Sequence, residues 1–354
     1  MISTAGRPED FMSKKLFAFC LFSIGFTIFL LFGSPSPPSP EELNQGPAQD
    51  QQQPGTYRGR HAISTFLDSK SNGEKGANDD DDKYFVSART LIYQLLHSPS
   101  TKLKDPVPVV VLVTRDVRES KRHRLREDGA TVVEVEDVTH KIPIAAERWI
   151  SMATKLHAFN PTIVPYEKVL YMDVDMVLTR PIDNIFQDFS TELGVINETD
   201  QSEPGMGPLP EHFIMAAAPE TKQKDHAYPF LDSDHTVSTF NSGLFMYAPS
   251  VQIFQYYMTL LDHPELYYTG IPDQDMLNYA HRWSGPMPWK RLHWSWYING
   301  PNDNDLQGNM ALIHTKWWDQ GTSFSTDAVE QFALARRWEM EGYWMGKKDK
   351  SKSW

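Results

Sequence analysis

Residues 107–113 read VPVVVLV, a β-branched apolar run without the polar alternation of a strand that has one solvated face. Such a strand is buried on both sides, and helices packed on the two faces of a parallel sheet provide that burial. The flanking sequence repeats the theme. Residues 61–67 (HAISTFL), 131–135 (TVVEV) and 168–172 (KVLYM) read as further strands, with helical apolar spacing over 85–96 and 146–159. Strands are also expected at 213–218 and 243–248, and a C-terminal helix from Asp327, where Glu330 suits a capping box. Strands alternating with helices predict an α/β fold with a mostly parallel central sheet.

The N-terminus follows different rules. Residues 16–32 carry no charge and, as a helix, span about 26 Å at ~1.5 Å per residue, close to a thin hydrocarbon core. Arg7, Lys14 and Lys15 precede this run and no basic residue follows until Arg58, so the positive-inside rule orients it. A cleaved signal peptide competes, but the run is long for one and no A-x-A site follows. The expectation is a cytosolic tail (1–15), a signal anchor (16–33), a Pro/Gln-rich stem (34–60), a catalytic domain (61–345) and a frayed basic tail (346–354). That arrangement makes a single-pass type II membrane protein, in the Golgi or another secretory-pathway membrane, with its domain and the Asn197-Glu198-Thr199 sequon lumenal. Thirty-four Lys plus Arg against 46 Asp plus Glu disfavour nucleic acid as a partner. Cys20 is the lone cysteine, so neither a disulfide framework nor a cysteine zinc site fits within one chain. The acidic run Asp79 to Asp82 reads as a solvated loop.

Chemistry concentrates at Tyr171-Met172-Asp173-Val174-Asp175-Met176. An apolar strand ending in D-x-D projects two carboxylates to one side at the carboxyl end of a parallel strand, where open α/β sheets bind ligands. Two close carboxylates repel, and a divalent cation relieves the repulsion; oxygen ligands suit Mg²⁺ or Mn²⁺ beside a phosphorylated substrate. Taken alone, the motif is weak evidence, and a solvated strand end is its ordinary reading.

Four further motifs accompany it in order: Thr154-Lys155-Leu156-His157, Phe240-Asn241-Ser242-Gly243, Pro272-Asp273-Gln274-Asp275 and Ile313-His314-Thr315-Lys316-Trp317-Trp318. Together they resemble glycosyltransferase family 8, the glycogenin-like retaining enzymes, from about residue 61 to 318. The resemblance implies a GT-A (Rossmann-like) nucleotide-diphospho-sugar transferase fold, a nucleotide-sugar donor, with UDP-hexose favoured, and bound Mn²⁺. It also implies that Asp173, Asp175 and His314 are metal ligands and that Lys155, Asn241 and Gly243 lie at the donor sugar and phosphates. Asp273 and Gln274 would steady the transition state, although Asp273 also suits a helix N-cap. Tyr84 aligns with a base-stacking tyrosine and Thr65 with the first-strand loop. Lys316 follows His314 by only two residues, with Trp317 where the family carries glycine, which puts its phosphate contact in question.

Nine of the ten tryptophans follow residue 280, suited either to an acceptor cleft or to a subdomain core. The function implied is a membrane-anchored, lumenal, Mn²⁺-dependent hexosyltransferase acting with retention on an unidentified glycan, protein or lipid acceptor. Rival readings are a glycogenin-like self-glucosylating primer, a two-carboxylate hydrolase and a non-catalytic sugar-binding protein.

Overall fold

The computed structural model describes residues 59–69, 78–138, 152–197, 205–221, 224–232, 235–318 and 324–352. Strands β1 (Gly59–Leu67), β2 (Val109–Thr114), β3 (Thr131–Val135) and β4 (Tyr166–Met172) form where the sequence places them. After them come β5 (Met176–Leu178), β6 (Gly194–Val195), β7 (His212–Phe213), β8 (Met215–Pro219), β9 (Phe240–Tyr247), β10 (Lys290–Arg291), β11 (Tyr297–Asn299) and β12 (Leu312–His314). The central sheet has the order β10-β8-β9-β4-β1-β2-β3. β4, β1, β2 and β3 are mutually parallel, β10 is parallel to β8, and β9 runs antiparallel to both its neighbours. The fold is therefore α/β with a mostly parallel central sheet.

All six residues of β2 are buried, and alternate residues enter two different cores. Val110 and Leu112 join Phe159, Phe245, Tyr257 and Leu260 on one face, whereas Val109, Val111 and Val113 join Phe85, Leu91 and Leu95 on the other. The first face is covered by helices α3 (Val251–Leu261) and α4 (Pro272–Ala280), the second by α1 (Lys83–Leu96) and α2 (Glu119–Glu127). Asp82 is no loose loop residue: its side chain accepts from the Tyr84 and Phe85 amides at the start of α1. The helix expected over 146–159 is a 3-10 segment, Met152–Phe159, and residues 139–151 lie outside the described residues.

The antiparallel course of β9 brings its first residues to the end of β4, with Met172 opposite Leu244 and the Asp173 amide donating to the Gly243 carbonyl at 2.8 Å. A small second sheet, β11-β12-β5, places His314 opposite Met176, the residue after Asp175. A short helix, α5 (Asp303–Gln307), lies between β11 and β12. The C-terminal helix α6 (Asp327–Lys352) returns to α1, where Met340 packs with Val86 and Tyr93. It runs on through Gly346, so the tail expected to fray there is helical to Lys352, and Glu330 accepts from Ser325 Oγ.

The expected membrane topology is corrected. No helix among the described residues is long and apolar enough to cross a membrane. The long helix α6 carries Glu330, Arg336, Arg337, Glu339, Glu341, Lys347 and Lys348, charges that a hydrocarbon core disfavours. Residues 16–33, on which the type II, lumenal, secretory-pathway placement rested, lie outside the described residues. That placement is accordingly withdrawn.

Beneath α3 and α4, His281 is fully buried. Its Nδ1–H donates to the Met287 carbonyl at 2.7 Å, so Nε2 accepts from the Tyr257 hydroxyl at 2.5 Å. Burial pushes its pKa down to about 4. The folded state thus disfavours the imidazolium, and the contribution is complete above the unfolded value near 6.5 and lost as pH falls from there toward 4. The expected loss approaches roughly 3 kcal/mol at the acid end. Melting curves of the wild type and His281→Gln from pH 7.5 to 4.5 check this: the variant's curve should be flatter with pH, and parallel curves would refute the assignment.

Candidate active site

Asp173 and Asp175 lie side by side for a reason that strand alternation did not supply. β4 ends at Met172, and residues 173–175 form a turn into β5. The turn, pinned by the Asp173 amide on β9 and by the Thr315 amide donating to the Asp175 carbonyl at 3.2 Å, gathers the carboxylates. One ligand atom each from Asp173, Asp175 and His314 lies within 4.8 Å of the others.

The hydrogen-bond network fixes the tautomer of His314. Asn241 Oδ1 accepts from the Gly243 amide at 2.9 Å and from the Tyr297 hydroxyl at 2.6 Å. Because the Tyr297 proton is committed there, its oxygen accepts from His314 Nδ1–H at 2.9 Å. Nε2 is then left 3.0 Å from Asp175 Oδ1. A neutral imidazole would set a lone pair against a carboxylate at that distance, so the arrangement calls for an imidazolium or for a cation shared by the two atoms. Burial opposes the His314 charge, but Asp175 and Asp173 outweigh it and raise the pKa. Burial likewise works against the Asp175 carboxylate, and His314 and Lys316 outweigh it, holding the group well below the usual range. For Asp173 burial prevails over Lys155 and raises the pKa. Two carboxylates and one imidazole with its far nitrogen fixed by Tyr297 fit a divalent metal ion.

Gly243 is required by close approach. A Cβ there would stand 2.8 Å from His314 Cε1 and from Asn241 Oδ1. Any side chain would displace the imidazole or the amide.

Deeper lies an ion pair. Lys155, 2% exposed, is bonded to Asp273, 1% exposed, and also donates to Ser242 Oγ at 3.2 Å. Burial opposes the ammonium, but Asp273, Asp173 and Asp175 outweigh it and its pKa is raised. Ser242 Oγ donates to Asp273 Oδ2 at 3.0 Å, while the buried Oδ1 has no hydrogen-bond partner among the described residues. The helix-cap alternative for Asp273 is not what forms. Ile271 is the N-cap of α4, without a side-chain cap, and Asp273 faces the lysine. Gln274 Oε1 accepts from the Ser242 amide at 2.9 Å and Asn241 Nδ2 at 3.2 Å, and its Nε2 donates to Glu220 Oε2 at 2.9 Å. Asn241 Nδ2 also donates to Glu220 Oε2, at 3.0 Å.

Asp173, Asp175, His314, Lys155, Asn241, Gly243, Asp273 and Gln274 thus form one connected group. Lys316 stands at its edge, 3.6 Å from Asp175 Oδ2. Thr65 is not in a loop: it is inside β1, paired with Val111 and fully buried. Tyr84 lies in the first turn of α1, edge-on to Trp318. Sequence reasoning missed Tyr297, Glu220 and Ser242. Ser242 sits inside the Phe240–Gly243 motif, whereas Tyr297 and Glu220 carry no local signal. The tryptophans divide: Trp289 is core, Trp283 is partly exposed, and Trp296 and Trp317 donate to Asp188 and Ser87.

An acidic turn at the end of a central strand thus faces a histidine, with a buried lysine behind it. No family model matches the chain. An uncharacterized protein of Schizosaccharomyces pombe is 29% identical over 273 residues, covering 67% of this chain and 69% of that one. Galactinol synthase 1 of Ajuga reptans is 23% identical, covering 66% and 78%, and galactinol synthase 4 of Arabidopsis thaliana is 22% identical, covering 64% and 75%. Among solved structures, the glycosyltransferase GlyE of Streptococcus pneumoniae superposes with a TM-score of 0.48 at 12% identity, over 82% of this chain. The match spans 64% of GlyE, less than two thirds of its length. The galactosyltransferase LgtC superposes with a TM-score of 0.46 at 14% identity, covering 80% and 95%. In its motifs the chain resembles glycosyltransferase family 8, galactinol synthases are among its sequence relatives, and its own central sheet makes the fold α/β and mostly parallel.

Proposed function

We propose that this chain moves a hexose from a nucleotide diphosphate sugar, UDP-hexose, to an acceptor hydroxyl with retention of anomeric configuration, in a Mn²⁺-dependent reaction. The observation that carries the reading is the convergence of Asp173, Asp175 and His314 beside the Asn241–Gly243 segment and the buried Lys155–Asp273 pair. Asp173, Asp175 and His314 would hold the metal. Bound there, Mn²⁺ supplies neutralising charge to the departing diphosphate.

The chain's own groups do the rest. Lys155, kept charged by three carboxylates, adds a fixed cation where phosphate charge develops. Asp273 Oδ1 is a buried acceptor without a partner among the described residues, which a donor-sugar hydroxyl satisfies. Gln274 and Asn241, locked to each other and to Glu220, present a rigid polar wall beside the sugar. The acceptor oxygen bonds to the anomeric carbon on the face the diphosphate leaves. The broken carbon–oxygen bond leaves its electron pair on the phosphate, and the hydroxyl proton follows to that oxygen. Same-face attack needs no enzyme nucleophile, and Asp273 is already engaged by Lys155 and Ser242.

Those engagements also weigh against a two-carboxylate hydrolase, which needs an acid and a base free to exchange protons. The names of the relatives, galactinol synthases and, over a shorter match, an inositol phosphorylceramide glucuronosyltransferase, support a transferase reading. The deciding experiment incubates the protein with UDP-glucose or UDP-galactose, with Mn²⁺ or with EDTA, and measures UDP release. Release that requires Mn²⁺ is expected. Release unaffected by EDTA would remove the metal from the proposal. Donor binding without release in any condition would favour a non-catalytic sugar-binding protein.

A further inference from the structure

We propose that the outer face of α6 is a self-association surface, on which a second copy of this chain docks with its own α6 antiparallel. The helix lies beyond residue 318, where the family motifs end, and its outer face is independent of the transferase reading.

α6 has two unlike sides. Val329, Ala333 and Met340 are buried, and Met340 packs with Val86 and Tyr93 of α1. At about 100° per residue the opposite side carries Gln331, Ala335, Trp338, Gly342, Met345 and Asp349, all exposed. Their spacing, alternately four and three residues, is that of a coiled-coil seam. Trp338 is 54% exposed and Met345 66%. They are not scattered singly: with Ala335 and Gly342 they make one continuous stripe, and a stripe of that kind marks an interface.

The order of sizes along the stripe selects the occupant. Laid antiparallel on its own copy, with the two-fold axis crossing at Met340, the stripe sets Trp338 over Gly342 of the second copy and Met345 over Ala335. Each large side chain meets a small one. A Cβ at Gly342 would meet nothing within 4 Å, so the hollow is open. At both ends Gln331 meets Asp349, an amide donor beside a carboxylate. Parallel pairing would instead put Trp338 on Trp338 and leave Gly342 facing glycine.

Charge agrees with this arrangement. Arg336 pairs with Glu339 at 2.7 Å and Arg337 with Glu341 at 2.9 Å, so the turns over the axis are neutral. Two copies meet there without accumulating charge, whereas an anionic membrane finds no net positive field over the same turns. Arg337 also lies over the Trp338 ring at 4.5 Å, which holds the large side chain in place before docking. A single helix pair is smaller than the roughly 1,200 Å² of standard interfaces, so the association should be reversible.

Sedimentation of the full chain over a range of concentrations should show a monomer–dimer equilibrium. Gly342→Leu fills the hollow and should weaken dimerisation at least about tenfold. Its melting temperature, taken where the wild type is monomeric, should be unchanged or higher, because the substitution removes a helix-weakening glycine and touches nothing in its own chain. Met345→Lys should weaken the dimer likewise, and decides the matter if the first variant fails to fold. Cross-linking in a Cys20→Ser background, Cys20 being the sole cysteine, reads the orientation. A short bis-maleimide should join Glu339→Cys to itself beside the axis and leave Asp349→Cys unjoined, its two copies being about 27 Å apart at ~1.5 Å per residue. A chain that is monomeric at every concentration would overturn the proposal, as would a dimer that both variants leave intact. Joining of Asp349→Cys in place of Glu339→Cys would overturn it too, and so would a lower melting temperature in Gly342→Leu, which would show the hollow filled by the chain itself. Monomers that bind phosphatidylserine vesicles, and lose that binding in Gly342→Leu, would give the face to a membrane instead.

Discussion

Asp175→Asn should lower Mn²⁺-dependent transfer by at least about a thousandfold, equivalent to about 4 kcal/mol of transition-state stabilisation. The substitution removes a proposed ligand charge and both ionic contacts of the group, to His314 and Lys316. Its effect on the metal-free fold should differ from that of its neighbour. The Asp175 carboxylate is favoured by its cationic partners despite burial, so Asp175→Asn should lower the melting temperature in EDTA. Asp173 is disfavoured by burial despite Lys155, so Asp173→Asn should leave that temperature unchanged or raise it while also abolishing transfer. Turnover and melting curves of both variants check this. Wild-type turnover at saturating Mn²⁺ in either one would end the ligand assignment.

Lys155→Met should cost about 3–5 kcal/mol of folding stability, because it strands a carboxylate that is 1% exposed and otherwise held only by Ser242 Oγ among the described residues. Adding Asp273→Leu should recover most of the loss, since an apolar pair of similar volume avoids burying a charge at all. Transfer should stay absent in both. Urea denaturation of the single and double variants measures the difference. A single variant as stable as the wild type would show that the pair contributes little, and a double variant less stable than the single would show that packing, not charge, governs the position.

The sheet was legible where burial is two-sided. Residues 107–113 and 168–172 have no polar alternation because β2 and β4 feed a core on each face, and their β-branched content and short length favour strands over buried helix. The D-x-D turn and His314 were legible as residue types, but their meeting depends on β12 pairing with β5, a contact between segments that are far apart in the chain. Strand alternation was to set the two carboxylates side by side, whereas a turn gathers them. Tyr297 and Glu220 were invisible because tyrosine and glutamate are common, and only the folded chain shows what their oxygens hold. In the described part of the helix expected over 146–159, apolar spacing did not distinguish an α-helix from the 3-10 segment Met152–Phe159. The apolar run at 16–32 shows the opposite hazard: hydropathy read in isolation assigned a topology that no described helix supports.

The return of α6 to α1 has a consequence for synthesis. Trp317 Nε1 reaches Ser87 Oγ across 230 positions, and Met340 closes over Val86 and Tyr93. While the chain grows on a ribosome, the outer face of α1 stays uncovered until the segment beyond residue 327 emerges. Completion of the domain is therefore a late event, and the nascent chain carries a sticky helix through most of its elongation, a natural landing place for a chaperone that holds apolar surface.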